Sequence, residues 1–150
     1  MPANTSPIFT VTPKVNWAAS SAFGTTSVPA VTSTAATSYD GTTSAVLIYT
    51  AGSNGAFIQK LVFESGGTNA TNSVARVFIN NGSTNATATN NILFMQYSLP
   101  QTTASNTTAT SHIELPMMIQ LPASYRIYVL LASSANLVGG WYVSVVGGDY

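Results

Sequence analysis

Short apolar segments separated by turn-forming residues are the feature of this sequence that most restricts its fold. The segments are rich in Val, Ile, Phe and Tyr, and Gly, Pro, Asn or Asp stands between most of them. Side chains of the first kind favour β-strands, whereas those of the second favour turns. The predicted strands cover residues 8–17, 45–50, 56–64, 74–80, 92–99, 113–120, 125–132 and 140–146.

Eight strands in 150 residues predict a single all-β domain over residues 1–150. We expect an antiparallel β-sandwich or jelly roll in preference to a small closed barrel. Pro13 either divides the first segment or places it at the edge of a sheet. Residues 1–43 are expected to contain an extended N-terminal strand and an arm-like loop. The long Ser/Thr/Asn-rich stretches, such as 101–111, are either arms that lie on a neighbouring subunit or disordered loops.

Alternation within the strands predicts which side chains share a face. In 57–64, Phe57, Leu61 and Phe63 are expected on one face, and Ile58, Lys60, Val62 and Glu64 on the other. Segments 73–79 and 125–131 are largely apolar on both faces, so both of their faces need cover. Either a neighbouring subunit or the long loops of the same chain would supply that cover.

Charge is scarce in this chain. Charged residues make up 5% of it, against roughly 25% in ordinary soluble proteins. The polar surface must therefore consist mainly of Ser, Thr, Asn and Gly, whose neutral groups lose less than ions do on leaving water. Such a surface suits burial against neighbours in a large assembly, although a monomer with a Thr/Asn-rich surface is the alternative.

The same charge balance disfavours two classes of partner. Four acidic residues accompany Lys14, Lys60, Arg76 and Arg126, so no basic patch is expected. Nucleic acid and acidic membrane surfaces are therefore unlikely partners. No apolar run approaches the ~20 residues of a membrane span, and the N-terminal residues lack signal-peptide features. We expect the protein to be made in a cytosol and either to stay there or to leave by lysis, and we attribute the five Asn-X-Ser/Thr sequons to composition instead of glycosylation.

Catalytic and metal-binding signals are weak. The chain has no cysteine and one histidine, His112, which we expect at the surface. A zinc site needs three or four ligands, and no Gly-X-Ser-X-Gly motif accompanies the many serines. The four acids, Asp40, Glu64, Glu114 and Asp149, have no spacing that indicates a glycosidase pair. We therefore expect no enzymatic activity, cofactor or metal, and we assign aromatics such as Trp141 and Tyr142 to packing before sugar binding.

Five short motifs occur in order along the chain. They are SPIFTVTPK at 6–14, TAGSNGAFIQKL at 50–61, RVFINNG at 76–82, LPASYRI at 121–127 and GGDY at 147–150. Together these motifs cover about a quarter of the chain, and the ordered set resembles small structural proteins of tailed bacteriophages. The chain departs from that pattern in its longer Thr/Ala/Asn loops at 25–38 and 101–111.

The resemblance implies a component of the virion. The expected role is a jelly-roll decoration or cement protein, a homotrimer on the capsid surface that binds the major capsid protein lattice. A tail or head-fibre module that binds a cell-surface glycan is the alternative. The family has no catalytic residues to transfer to this chain.

Several charged residues lie in or beside the shared motifs, which predicts specific pairing. We expect Arg76 and Arg126 to bind carboxylates such as Glu64 or the C-terminal carboxylate of Tyr150, across strands or across subunits, because arginine makes bidentate contacts. Lys60 and Glu64 are expected on one strand face, in an ion-pair cluster with Arg76. Ordinary surface solubilisation is the alternative role for these ions.

Overall fold

The structure, a computed structural model, describes the backbone of residues 12–17 and, in full, residues 39–133 and 139–150. The predicted arm-like loop therefore lies outside the described residues, except for its last few positions. The described residues form eight strands and one short 3-10 helix. These are β1 (Thr12–Trp17), β2 (Val46–Thr50), β3 (Ala56–Ser65), β4 (Ser73–Asn80), η1 (Ala88–Asn90), β5 (Asn91–Leu99), β6 (His112–Leu121), β7 (Arg126–Ala132) and β8 (Trp141–Asp149).

The strands form two antiparallel four-stranded sheets. Sheet A has the order β1-β8-β3-β6, and sheet B has the order β2-β7-β4-β5. The first strand pairs with the last, the second with the seventh, the third with the sixth and the fourth with the fifth. This is the strand order of a jelly roll, in which a long four-strand hairpin rolls up into a sandwich. The predicted all-β sandwich is confirmed, and each described strand lies within a few residues of its predicted position.

The main core lies between the sheets and follows from alternation along the strands. Trp141, Val143 and Val145 of β8 alternate with the more exposed Tyr142, Ser144 and Val146. The largest fully buried side chains are Trp141, Tyr49, Phe63, Phe78, Ile48, Ile58, Leu61, Leu99, Ile127, Leu130 and Leu131. Burial of each such side chain contributes about 1.5–3 kcal/mol.

The predicted division of faces in β3 is wrong at its N-terminal end. Ile58 is buried in the core with Leu61 and Phe63, whereas Phe57 is only half-buried. A β-bulge causes the change, because the pairing of β3 with β8 skips Gln59 between Ile58 and Lys60. One extra residue reverses the alternation of the side chains. Lys60 consequently lies on the outer face although Ile58, two residues earlier, faces the core.

A second apolar cluster covers the outer face of sheet B. Phe78, Tyr128 and Leu130 are buried there and pack with Ala45 and Leu93. Gly41 has a φ of +74°, and a Cβ at this position would lie 3.0 Å from the Phe78 ring, so only glycine fits easily. The same chain thus covers at least part of this doubly apolar sheet, as one of the two alternatives predicted.

Amide side chains fasten this covering segment to the β4–β5 loop. Asn91 donates from Nδ2 to the carbonyl oxygen of Asp40 at 2.9 Å. Asn85 donates from Nδ2 to the carbonyl oxygen of Gly41 at 3.2 Å. Neutral amide groups therefore supply part of the attachment of the backbone that precedes β2.

Asn69 connects three loops at one end of the sandwich, which we call the Asn69 end. Its fully buried amide donates to Thr102 Oγ1 at 3.0 Å and to the carbonyl oxygen of Gly140 at 3.0 Å. Its Oδ1 accepts a hydrogen bond from the Gly140 N–H at 2.8 Å. Thr102 in turn donates to the carbonyl oxygen of Gly67 at 2.7 Å. The β3–β4, β5–β6 and β7–β8 loops therefore share one buried polar network, and Asn69 cannot be a glycan acceptor in the folded chain.

The chain terminus is bound at the opposite end of the sandwich. Asp149 accepts hydrogen bonds from the Tyr49 hydroxyl at 2.5 Å and from the Gly52 N–H at 3.0 Å. Burial and the Asp149 carboxylate together raise the pKa of Tyr49 well above its usual range, so this hydroxyl remains a donor. The Tyr150 N–H donates to the carbonyl oxygen of Gly55. The GGDY motif therefore joins β8 to the β2–β3 turn.

We predict that Asn69→Ala lowers the free energy of unfolding by about 3 kcal/mol, because it leaves the buried Gly140 N–H without its acceptor and removes the amide's hydrogen bonds to Thr102 and to the Gly140 carbonyl oxygen. Urea unfolding at constant m-value measures the change. Asn106→Ala is the matched control, since Asn106 is exposed in the 101–111 loop, and its expected effect is within about 0.5 kcal/mol. Equal effects of the two substitutions would contradict the role assigned to Asn69.

Candidate functional site

Four ionisable side chains meet on the outer face of sheet A. Lys60 Nζ lies 2.5 Å from Glu114 Oε1, and His112 Nδ1 lies 2.6 Å from Glu64 Oε2. His112 Nε2 lies 3.6 Å from Glu114 Oε1 and links the two pairs. We call Lys60, Glu64, His112 and Glu114 the ionic cluster. It gathers both glutamates, the only histidine and one of the four basic residues of the sequence.

Strand register places these side chains together. Glu64 of β3 is directly opposite His112 of β6, and Val62 is opposite Glu114. Lys60 lies on the same outer face as Glu64 by ordinary alternation, one diagonal step from Glu114. Cross-strand neighbours of this kind interact directly. The cluster is therefore a consequence of alternation along β3 and of its register with β6.

The cluster shifts the protonation of two of its members. The Glu64 hydrogen bond, with a smaller contribution from Glu114, raises the pKa of His112 above 6.5. The hydrogen bond from Lys60, with a smaller contribution from His112, lowers the pKa of Glu114 below 4.5. The side chains are about 30–54% exposed, and exposed ion pairs contribute little to stability. The cluster defines a local charge pattern instead of strengthening the fold.

The structure brings together only part of the predicted ion-pair set. Lys60 and Glu64 do share one face of β3, but their partners are Glu114 and His112, both on β6. Within the chain, Arg76 is not part of this cluster, because Glu64 lies on the outer face of sheet A whereas Arg76 lies on β4 of sheet B. Local sequence patterns do not identify β6 as the partner strand, because Glu114 and His112 lie about fifty residues from their β3 partners along the chain.

The two arginines have other neighbours. Arg76 is almost fully buried, donates from Nε to Gln96 Oε1 at 3.3 Å, and lies 3.6 Å from the centre of the Tyr39 ring. Stacking of a guanidinium on an aromatic face is a favourable cation–π contact. Arg126 donates from Nη1 to the carbonyl oxygen of Ser83 at 2.7 Å. Within the chain, Arg126 therefore fastens the β4–β5 loop, and the predicted pairing with a Tyr150 carboxylate of another subunit stays a prediction.

The chemistry available to the ionic cluster is limited by its internal pairing. Each of its carboxylates already contacts a cationic or imidazole partner on an open sheet face. Among the residues that the structure describes, no group of three or more His, Cys, Asp or Glu side chains is arranged to bind a metal ion. Within the same residues, no helix is long and apolar enough to cross a membrane.

The side of the sandwich formed by β5 and β6 exposes apolar side chains. The described part of the chain has seven large apolar side chains with substantial exposure, and four of them lie here. These four are Ile92, Phe94 and Tyr97 of β5 and Met118 of β6. Leu47 of β2 and Tyr142 of β8 are exposed elsewhere, and Tyr142 lies opposite Glu64 on the outer face of sheet A.

The exposed loop 103–109, which connects β5 and β6, is anchored at the Asn69 end. Residues 103–109 are exposed and contain only Thr, Ala, Ser and Asn. The loop begins at Thr102, which is buried and pairs through its backbone with Asn69. The Ala104 N–H donates to Thr68 Oγ1 at 2.9 Å. The loop thus presents an uncharged polar surface and is anchored at its base. The sequence alone favours neither order nor disorder for this stretch.

We predict that the imidazole of His112 titrates with a pKa above 6.5 and that Glu64→Gln lowers this pKa more than Glu114→Gln does. Glu64 makes the shorter contact with the imidazole ring, so it contributes more than Glu114 does to the raised pKa of His112. NMR titration of the single histidine measures the pKa in each variant. Equal effects of the two substitutions, or a wild-type pKa at or below 6.5, would contradict the geometry.

The same cluster predicts how stability depends on pH. The His112 contacts favour the folded state fully below pH 6.5 and are lost as the pH rises through the raised pKa. The Glu114 contacts favour the folded state above pH 4.5 and are lost as the pH falls through the lowered pKa. We expect the Tm to fall slightly above pH 6.5, and His112→Gln to remove that slope. A slope that persists in His112→Gln would assign it to another group.

None of the protein-family models, curated proteins or solved structures compared with this chain matches it. Function must therefore be argued from the molecule itself. Its distinctive features are the ionic cluster, the uncharged loop at the Asn69 end and the apolar β5–β6 side of a jelly roll.

Proposed function

We propose that this chain is a structural protein of a bacteriophage virion, a decoration or cement protein that binds the major capsid protein lattice on the head. The observation that carries the proposal is the 103–109 loop, which is wholly exposed, contains no charge and is fastened at its base by the buried Asn69 network. The ordered phage-like motifs and the jelly-roll strand order, which also occurs in viral capsid proteins, support it.

The physical argument concerns the cost of binding. Hydroxyl and amide groups lose less free energy than ions when they leave water. A loop that is already ordered loses less conformational entropy when it docks. Many weak contacts, repeated over a particle surface, then combine into stable attachment. A chain with eight charged residues in 150 is suited to this mode of binding.

The expected assembly has no enzymatic step and no cofactor. The protein is made in the host cytoplasm and incorporated at the outer surface of the capsid. Its partners are other copies of itself and the major capsid protein, and nucleic acid and membrane are not among them. A trimer is the copy number expected from the resemblance alone.

One observation favours host adhesion as a second candidate. Tyr142 is exposed on the outer face of sheet A, directly opposite Glu64 and in the same row as His112. An aromatic ring beside a carboxylate offers an apolar platform and hydrogen-bond acceptors to a sugar. In that case the protein would belong to the tail or a head fibre and would bind a cell-surface glycan.

The decisive measurement is the copy number and position of the protein in purified particles, by quantitative mass spectrometry and immunogold labelling. Many copies distributed over the head are expected for a decoration protein. A few copies at one vertex or on the tail would contradict that role and favour adhesion. Absence from the particles would contradict both virion roles.

We predict that Thr103→Asp with Ala109→Asp reduces capsid occupancy about tenfold or more, because docking would then bury two new charges. Thr87→Asp with Thr89→Asp is the matched control, since these exposed residues lie on the β4–β5 loop at the opposite end. Occupancy is measured on particles stripped of the protein and reloaded with each variant. Equal occupancy of the two variants would show that the 103–109 loop is not the docking surface.

A further inference from the structure

The two sheets expose four edge strands in the described part of the chain. These are β1 and β6 in sheet A and β2 and β5 in sheet B. An edge strand presents backbone N–H and C=O groups that pair readily with another chain unless proline, charge, a bulge or short length prevents it. The four edge strands differ in how many of these protective features they contain.

Three edges are protected. Strand β1 contains Pro13, which cannot donate a ladder hydrogen bond. A register shift between Leu47 and Tyr49 divides strand β2 into regular runs of two residues each, 46–47 and 49–50. Strand β6 contains Pro116, carries His112 and Glu114, and has Met118 at a φ of +49° beside a register shift.

The β5 edge has much weaker protection. Its nine residues, NILFMQYSL, include neither proline nor a charged side chain. Ile92 is 64% exposed, Phe94 40% and Tyr97 38%, which is unusual for apolar side chains on one strand. A register shift sets Phe94 apart, because Phe78 pairs with Leu93 and Val77 with Met95. The regular run available for further pairing is therefore 95–99.

We propose that β5 is a self-association edge, at which a second copy of this chain adds its own β5 in antiparallel orientation. An antiparallel edge is complementary to itself, because a two-fold rotation presents the same donors and acceptors in reverse order. The neutral strand brings no like charges together across the axis, whereas a charged foreign strand would find no ionic partner on it.

The uneven protection of the edges also sets the size of the assembly. Pairing of β5 with β5 joins the two B sheets into one eight-stranded sheet and uses the exposed edge of both copies. The remaining edges, β1, β2 and β6, are protected, so the contact closes at two chains and does not continue into a fibre. The soluble unit is then a dimer, in place of the trimer expected from the resemblance.

This inference deepens the proposed assembly role and rests on it only for the biological use of the dimer. A dimer in solution together with absence from virus particles would overturn the virion proposal and leave the edge pairing intact. A monomer in solution together with many copies on the head would do the opposite. The two proposals are therefore separately testable.

Sedimentation velocity of the purified full-length chain tests the pairing. The wild type should sediment as two 15.6 kDa chains. Tyr97→Lys should weaken dimerisation about tenfold or more, because it places like charges near the two-fold axis. Leu47→Lys is the matched control, since it removes an apolar side chain of similar exposure, 42% against 38%, from the other edge of sheet B. It should leave dimerisation unchanged.

Hydrogen exchange gives a test that needs no substitution. Amides in 95–99 should become more protected as the protein concentration rises, while those of the β2 edge should not change. A wild-type monomer or trimer would overturn the proposal. So would equal dimerisation of the Tyr97→Lys and Leu47→Lys variants, or exchange in 95–99 that is independent of concentration.

Discussion

The buried amide of Asn69 is the interaction on which the loops at the Asn69 end of the sandwich depend. It bridges Thr102 and both backbone groups of Gly140, so it joins loops from three separate strand connections. A neutral amide can satisfy these groups at a buried position because it has both donors and an acceptor. An aspartate would lack the donors and would add an ion where water is excluded. The exposed 103–109 loop takes its position from this network.

Neutral polar groups perform elsewhere in this chain the tasks that ions perform in most proteins. Asn85 and Asn91 fasten the segment before β2, and a carbonyl oxygen, not a carboxylate, receives the described Arg126 contact. Of the eight charged residues, Lys60, Glu64 and Glu114 lie together with His112 on the outer face of sheet A. Arg76 and Arg126 belong to strands of sheet B, where an amide, an aromatic ring and a carbonyl oxygen are among their contacts. Because ions resist burial more than neutral polar groups do, the outer face of sheet A is the surface least suited to a dry contact.

The all-β class and the eight strands could be predicted because turn residues and β-branched runs act locally. The faces of β3 could not, because the bulge at Gln59 depends on how β8 and β6 pair with β3. Alternation along β3 predicts that Lys60 and Glu64 share a face. It does not predict that Glu114 and His112 are their partners. Their positions follow from a jelly-roll pairing of the third strand with the sixth, which no local pattern encodes. Only the sequon Asn69-Ala70-Thr71 marks Asn69 in the sequence. Burial of a single polar residue leaves no periodic signal.

The jelly roll itself explains why one side of the sandwich is left open. In a jelly roll, a long hairpin with four strands on each side folds into two sheets. Strands β5 and β6, which the 100–111 connection joins, then become edge strands of sheets B and A. The β1 and β2 edges contact each other at the other side, so the core is closed there by the chain itself. At the open side the core residues Met95, Ile113, Leu115 and Ile119 are only partly buried. Strand β5 carries no charged side chain that would oppose association at this edge. The proposed pairing with a second copy would cover this side and would also satisfy backbone groups of β5.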